Sequence, residues 1–270
     1  MPSRVQRLDA ELVRRGLARS REHAVELITA GRVQVRGVLA TKAASGVDNG
    51  TPVRVTADSD DPGYASRGGH KLAGALAAFP DINVAGKRCL DAGASTGGFT
   101  DVLLRAGAAA VVAVDVGYGQ LAWGVRSDDR VQVIDRTNVR SLTPAQIGGR
   151  AQLTVADLSF ISLALVLPAL AACTESDGDL FPMVKPQFEV GRERLGSGGV
   201  VRDPQLRAGA VLSVAHAAAA LGWYPAGVVA SPLPGPAGNV EFFLWLRRTG
   251  RAMIDDGQIA HIVTTAEEAQ

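Results

Sequence analysis

The chain holds only two cysteines, Cys89 and Cys173, and four histidines among 270 residues. The thiols lie far apart and lack metal-ligand spacing, so both read as small buried hydrophobes in a reducing compartment. His23, His70, His216 and His261 form no ligand pattern, and no metal is expected. No apolar run approaches the roughly 20 residues that a membrane span requires, and Met1 to Ala10 has no apolar stretch of the secretory kind. The expectation is a cytoplasmic protein with no membrane partner. Aromatic residues are scarce at 5%, and none precedes Tyr64, which leaves little for base stacking at the N-terminal end.

What is present is a hydrophobic share of 47%, enough for a buried core, in a length that suits one large domain and one small one. The net charge of +1 hides an asymmetry. Residues 1–56 carry 10 Lys/Arg against 5 Asp/Glu, whereas the remainder carries 18 against 22. A small basic module on a mildly acidic body is the charge distribution of a polyanion-binding appendage.

Within that module, Leu8-Asp9-Ala10-Glu11-Leu12-Val13 opens a helix, and Ser20 is placed to cap a second, with Ala24, Leu27 and Ile28 on its apolar face and Gly31 at its end. Val33, Val35, Val53 and Val55 alternate with polar residues as in short half-buried strands. These residues, with Arg7-Leu8-Asp9, Gly16-Leu17-Ala18-Arg19-Ser20-Arg21 and Gly31-Arg32-Val33-Gln34-Val35-Arg36-Gly37, resemble the RNA-binding domain first seen in ribosomal protein S-four. The resemblance implies a basic face meeting RNA phosphates, with Arg4, Arg7, Arg19, Arg21 and Lys42 as contacts. Arg14 and Arg15 read equally well as solvated helix charges. Recognition of backbone and shape is expected rather than of base sequence.

The module is assigned to residues 1–58, an acidic Pro/Gly linker to 59–66, a large domain to 67–250 and a C-terminal tail to 251–270. Candidate strands in the large domain are Arg88–Asp91, Val111–Asp115, Val131–Ile134, Leu153–Ala156, Phe181–Val184, Ala226–Ala230 and Glu241–Leu246. Helical segments, including Phe99–Ala106 and Ser162–Cys173, separate the earlier ones, which argues for a largely parallel sheet covered on both faces. Only the Pro/Gly loop 231–239 joins the last two strands, so they should pair antiparallel. The expected fold class is α/β: a Rossmann-like seven-stranded domain, whose strand pattern resembles the methyltransferase variant of that fold, behind a small α+β RNA-binding domain.

The first strand runs into Asp91-Ala92-Gly93-Ala94-Ser95-Thr96-Gly97-Gly98-Phe99. Glycine there permits a sharp strand-to-helix turn and close approach of a ligand. The pattern is not the G-x-G-x-x-G of pyrophosphate sites; it resembles the first motif of S-adenosylmethionine methyltransferases, whose loop cups the amino-acid end of the cofactor. An acid closing the second strand, Asp115 with Val116 beside it, suits two ribose hydroxyls. Asp135 and Asn138 follow the third strand and suit an adenine edge, although Asp135 reads nearly as well as a simple turn acid. The cofactor expected is S-adenosyl-L-methionine.

Four further residues stand at positions of chemical interest. Lys71 precedes the first helix of the large domain, Asp157 ends the fourth strand, Lys185 ends the fifth and Glu241 begins the last. A ribose hydroxyl attacks a methyl carbon only as its proton is removed, and lysine serves as a base only where burial or a second ammonium favours its neutral form. The Lys-Asp-Lys-Glu order resembles the tetrad of FtsJ-type ribose 2′-O-methyltransferases, and the whole sequence, from Arg7 to Trp245, is similar to the TlyA family, once labelled hemolysins. The resemblance implies methylation of cytidine ribose in small- and large-subunit rRNA. Lys185 is then the base, Lys71 favours its neutral form and binds phosphate or oxyanion, and Asp157, which also borders the cofactor, and Glu241 orient the amines. The linker departs from the family, since Pro62-Gly63-Tyr64 lacks the usual Arg and Trp.

Arg67 and His70 flank Lys71; Arg67 is expected to help hold RNA, and His70 to help hold RNA or the Lys71 segment. The Gly/Arg-rich segment 189–203 reads as a mobile loop over it, with Arg192, Arg194 and Arg202 near phosphates or simply solvated. Three rival readings remain. A base methyltransferase would carry Asp/Asn-Pro-Pro-aromatic where Asp157-Leu158-Ser159-Phe160 stands, and both prolines are missing. A membrane-active hemolysin lacks a suitable amphipathic helix. An inactive assembly factor would have no use for the intact glycines and four polar residues. Partners expected are rRNA and ribosomal subunits, with the monomer favoured.

Overall fold

The computed structural model describes residues 5–18, 20–56, 62–249 and 253–266. The chain divides into two units, Met1–Arg67 and Gly68–Gln270.

In the first unit, β1 (Gln6–Arg7) leads into α1 (Leu8–Arg14), followed by α2 (Arg21–Thr29) and by β2 (Val33–Val35), β3 (Val38–Leu39), β4 (Gly46–Val47) and β5 (Val53–Val55). Ser20 caps α2 by accepting from the backbone N–H of His23 at 3.1 Å, and Gly31 takes the left-handed conformation just past its end. Strands β3, β2 and β5 form one small antiparallel sheet and β1 pairs with β4. Leu8, Leu12, Ala24, Leu27, Ile28 and Val33 fill the core between helices and sheet, so both the helical and the two-residue periodicities seen in the sequence face one interior.

The second unit begins with α3 (Gly68–Ala78) and continues through β6 (Arg88–Ala92), α4 (Gly98–Arg105), β7 (Ala110–Val114), α5 (Trp123–Arg126), β8 (Val131–Ile134), β9 (Ala151–Ala156), α6 (Leu167–Cys173), β10 (Thr174–Val184), α7 (Pro186–Glu189), α8 (Pro204–Ala219), β11 (Tyr224–Ala230), β12 (Phe242–Arg247) and α9 (Asp256–Thr265). Seven strands form one sheet in the order β11-β12-β10-β9-β6-β7-β8. Neighbours from β10 to β8 are parallel, while β12 runs antiparallel to both β10 and β11. The direction of winding reverses between β6 and β9, the switch point at which such sheets set a ligand crevice beyond the carboxyl ends of their strands. Buried strand residues such as Leu90, Val112, Leu153, Phe181 and Trp245 read as near-continuous apolar runs because helices cover both faces.

The segment set apart as a tail contains α9, whose Asp255 and Gln258 form a reciprocal capping box and whose Ile259 and Val263 are buried. A buried carboxylate, Asp179 on β10, ties β12 and the residue just before β6 to its own strand: it accepts from Lys87 at 3.0 Å and Trp245 Nε1 at 2.9 Å, and it pairs with Arg247 at 3.1 Å. Among the described residues, no helix is long and apolar enough to cross a membrane.

Candidate active site

The carboxyl end of β6 turns into α4 through the Gly-rich segment. Gly93 has φ +90° and Gly97 has φ +95°, conformations that a side chain resists. A methyl group built on Gly93 would come within 2.4 Å of the Asp157 carbonyl oxygen, and one on Gly97 within 2.9 Å of Leu121. The sharp turn matches the expectation from sequence. The close approach that demands glycine is made by the chain's own neighbouring loops, a point that local sequence does not carry.

Asp115 ends up just past β7. Its carboxylate accepts from the backbone N–H of Ser95 at 2.8 Å and of Gly117 at 2.7 Å, so it fastens the first loop to the second. Each oxygen retains a further lone pair for a ligand hydroxyl. Val116 beside it is 74% exposed, an apolar side chain left open at the crevice. Ser95 and Thr96 are exposed, whereas Ala94, Gly98 and Phe99 are buried as the first turn of α4 forms. Asp135 accepts from the Gly119 N–H and pairs with Arg126 at 3.3 Å, and Asn138 caps a short turn through the Arg140 N–H. Both are engaged in shaping their own loop.

Asp91, wholly buried at the end of β6, accepts from the Thr100 hydroxyl at 2.6 Å, while its Oδ1 has no hydrogen-bond partner. Burial pushes its carboxyl up to about 7, the nearby Asp157 charge adds to the rise, and the Thr100 hydrogen bond opposes it. A proton held more tightly in the folded state stabilises the fold below the unfolded value of 3.8, and that contribution is lost as pH rises towards 7. Asp91→Asn, without ligand, is therefore expected to melt several degrees above the parent protein at pH 7.5, with the gap closing towards pH 4; a gap that is constant with pH in thermal scans would refute the buried acid.

The four residues singled out beyond the loop meet at one edge of the sheet. Lys71 lies within α3 rather than before it, and it donates to Glu241 at 2.6 Å, with only 6% and 1% of these two residues exposed. Lys185 Nζ lies 2.6 Å from Asp157 Oδ1 and donates to Ser159 at 2.9 Å. The Lys185–Asp157 contact is one of charge at poor hydrogen-bonding angles, since Oδ1 is buried without a hydrogen-bond partner. Val184 pairs with Phe242 across β10 and β12. One more step along both strands sets Lys185 across from Glu241, and directly opposite residues share a face. Gln187 gives Glu241 a second donor at 3.2 Å, while its own Oε1 is buried without a hydrogen-bond partner. The arrangement holds two lysine amines, each against its own carboxylate, beside the glycine turn.

Several participants went unnoticed in the sequence. Ser159, Gln187 and Thr100 are polar residues near Asp157, Lys185 and Asp91 in the chain, yet only the fold sets them against Lys185, Glu241 and Asp91. Glu189 accepts from the Ser162 hydroxyl at 2.6 Å and the Leu163 N–H at 2.8 Å, fastening the loop after β10 to the loop after β9; burial pushes its carboxyl up. Phe160 is 92% exposed with φ +63°, a strained conformation for a bulky residue, and its ring lies 5.2 Å from that of Phe188.

Segment 189–203 departs from the loop expected. Val190 and Val201 are buried against Ala210, and buried Asn239 accepts from the Val201 N–H at 2.9 Å and donates to the Gly199 carbonyl at 3.0 Å. Two valines among the glycines and arginines suffice to anchor it. Arg194 is exposed and Arg202 donates to the Ser197 carbonyl; the Arg192 side chain lies outside the description.

In the first unit, Arg7, Arg21 and Lys42 are exposed, while Arg4 and Arg19 lie outside the described residues. Arg15 is corrected: its guanidinium donates to Glu11 and to the carbonyls of Thr51 and Asp48, so it clamps the turn before β5 rather than standing in solvent. Arg14 donates twice to Glu11. Arg67 sits 3.9 Å from Glu26, and His70 is half-buried on α3.

The FtsJ-like methyltransferase model matches residues 64–248, and the S4 domain model matches residues 6–53. The chain is 64% identical to the 16S/23S rRNA (cytidine-2′-O)-methyltransferase TlyA of Mycobacterium tuberculosis over 252 residues, 93% of each protein. It is 42% identical to YqxC of Bacillus subtilis, an rRNA methyltransferase candidate, over 99% of this chain and 96% of that one. The solved structure of a hemolysin candidate from Streptococcus thermophilus shares the fold with a TM-score of 0.78 at 38% identity, covering 98% of this chain and 96% of the other. The chain belongs to the FtsJ-like methyltransferase family, in the group that sets an S4 domain ahead of that fold and includes the TlyA proteins.

Proposed function

We propose that this protein transfers a methyl group from S-adenosylmethionine to the ribose 2′-oxygen of cytidines in ribosomal RNA, acting in the cytoplasm. The observation that carries this reading is the pair of lysine–carboxylate contacts at the carboxyl edge of the sheet, in a chain 64% identical to TlyA.

The residues present fit the cofactor. The orphaned, buried Asp91 Oδ1 invites a cationic hydrogen-bond donor, Asp115 keeps acceptor capacity, and exposed Val116 offers an apolar face to a ring. Gly93, Ala94, Ser95, Thr96, Gly97, Gly98 and Phe99 make the turn that would cup its amino-acid end, and Asp135 and Asn138 border the adenine side. When bound, S-adenosylmethionine supplies an electrophilic methyl carbon and a sulfonium that departs as a neutral thioether.

Lys185, as the neutral amine, takes the 2′-hydroxyl proton as the oxygen attacks. Asp157 at 2.6 Å then stabilises the ammonium so formed, and Ser159 fixes the direction of the amine. Lys71, held by buried Glu241, presents positive charge to the developing alkoxide or the neighbouring phosphate. Gln187 helps hold the Glu241 carboxylate in place.

Phe160 supports a role in seating the target base. An exposed ring in a strained backbone, directly after the Asp157 loop, is an available stacking face. Phe160→Gly should relieve the backbone and raise stability slightly, while lowering turnover on RNA about 10-fold. Thermal melts and single-turnover methylation measure the two together; unchanged turnover would remove Phe160 from the site.

The direct test incubates the protein with radiolabelled S-adenosylmethionine and separated ribosomal subunits, then maps the label. Alkaline hydrolysis decides between ribose and base, because a 2′-O-methyl group blocks cleavage of the adjacent phosphodiester. Label on an alkali-cleavable nucleotide overturns the ribose reading.

A further inference from the structure

The first unit buries two carboxylates in α1 that a domain facing a polyanion would be expected to avoid. Asp9 is 2% exposed, yet its four acceptor positions are filled. Its Oδ1 accepts from Arg7 Nε at 3.1 Å and the Ala10 N–H at 2.8 Å; its Oδ2 accepts from Arg7 Nη2 and Arg21 Nη2, each at 2.9 Å. Arg7 thus binds Asp9 through two parallel bonds and Arg21 through one. Both side chains remain more than half exposed, at 52% and 60%. Among the described residues, Arg7 Nη1 and Arg21 Nε and Nη1 make no hydrogen bond.

Resting on the reading of this face as RNA-binding, we infer that Asp9 is a positioning residue, whose buried carboxylate gathers Arg7 and Arg21 into one outward-facing fork that grips RNA backbone phosphate. Two guanidinium groups against one carboxylate leave a net positive charge at the surface. Their planar donors are fixed by the inner bonds, so little side-chain freedom remains to be lost when a phosphate docks. The arrangement exchanges one unit of attraction for geometry.

That exchange makes the sign of a substitution decisive. If charge alone mattered, Asp9→Asn would tighten RNA binding, since it removes a negative charge from the face. Positioning demands the reverse: about 10-fold weaker binding of the full-length protein to purified large-subunit rRNA. The slope of log affinity against log salt should also flatten by roughly 1 to 2, as phosphate contacts are lost although no arginine has been removed. In methylation assays the KM for RNA should rise with kcat nearly unchanged. Because Asp9→Asn also weakens the fold, the double variant Arg7→Lys/Arg21→Lys supplies a second route. Lysine keeps the charge and the partner of Asp9 but cannot form the paired fork, and it should reproduce the loss and the flatter slope. Arg7→Gln/Arg21→Gln tests the underlying reading; wild-type binding there would show that this face does not hold RNA. Loss of binding in that variant, together with unchanged or tighter binding in Asp9→Asn and in the lysine pair, would overturn the positioning role alone.

Discussion

Replacing Lys185 with alanine is expected to lower methyl transfer about 100- to 10,000-fold, the range that a positioned base contributes, while leaving S-adenosylmethionine affinity within roughly 2-fold of the parent protein. The amine stands at the end of β10 with Asp157 at 2.6 Å and Ser159 at 2.9 Å, and no other amine among the described residues shares that carboxylate. Lys185→Arg sharpens the experiment. Guanidinium keeps the charge and reaches a similar distance, but it does not deprotonate in proteins. A base is therefore lost in both variants, whereas a purely electrostatic lysine would be partly rescued by arginine. Isothermal titration with the cofactor and single-turnover methylation of rRNA separate binding from chemistry. Substantial activity in Lys185→Arg would move the base elsewhere.

The second large effect falls on stability. Glu241→Ala leaves the Lys71 ammonium, 6% exposed, without its carboxylate partner. Removing one member of a buried pair costs about 3–5 kcal/mol, which for a unit of this size corresponds to a fall in melting temperature on the order of 6–20 °C. Glu241→Gln keeps the volume and an acceptor, and its cost should be smaller. Substituting the pair together, Lys71→Met with Glu241→Leu, should restore most of the lost stability because both charges go at once. It should restore none of the activity, since Lys71 is proposed to face the developing charge. Thermal denaturation at pH 7.5 alongside methylation assays reads both quantities. A double variant as unstable as Glu241→Ala would show that the pair is not the energetic unit described.

Much of this fold was legible in the chain. Seven apolar runs, spaced by helical patterns and closed by a Pro/Gly loop, gave seven strands with the last two antiparallel, because burial on both faces imposes continuous apolar runs on the strands. Strand β10 was the exception, extending back to Thr174 through the polar residues Glu175-Ser176-Asp177-Gly178. A break in register between Thr174 and Asp179 lets that stretch bulge, so its periodicity vanishes. Segment 189–203 failed for a related reason: Val190 and Val201 anchor it through contacts with Ala210 and Asn239, and isolated anchors leave no repeating pattern. Arg15 looked like any charged residue on a helix, since the carbonyls it holds lie 33 and 36 positions away.

By itself the sequence determined the two-part organisation, the sheet, the glycine turn and the identity of the three polar residues at strand ends, because each rests on local pattern or on residue types at short spacing. The tertiary structure alone decided the partnerships. Lys71 pairs with Glu241 across 170 positions and Lys185 with Asp157, Asp91 is sealed from water, and two arginines of the first unit converge on a buried aspartate. Charge pairing in a low-dielectric interior depends on distances of a few ångströms, and those are set by how α3, β9, β10 and β12 pack rather than by any stretch of chain read in isolation.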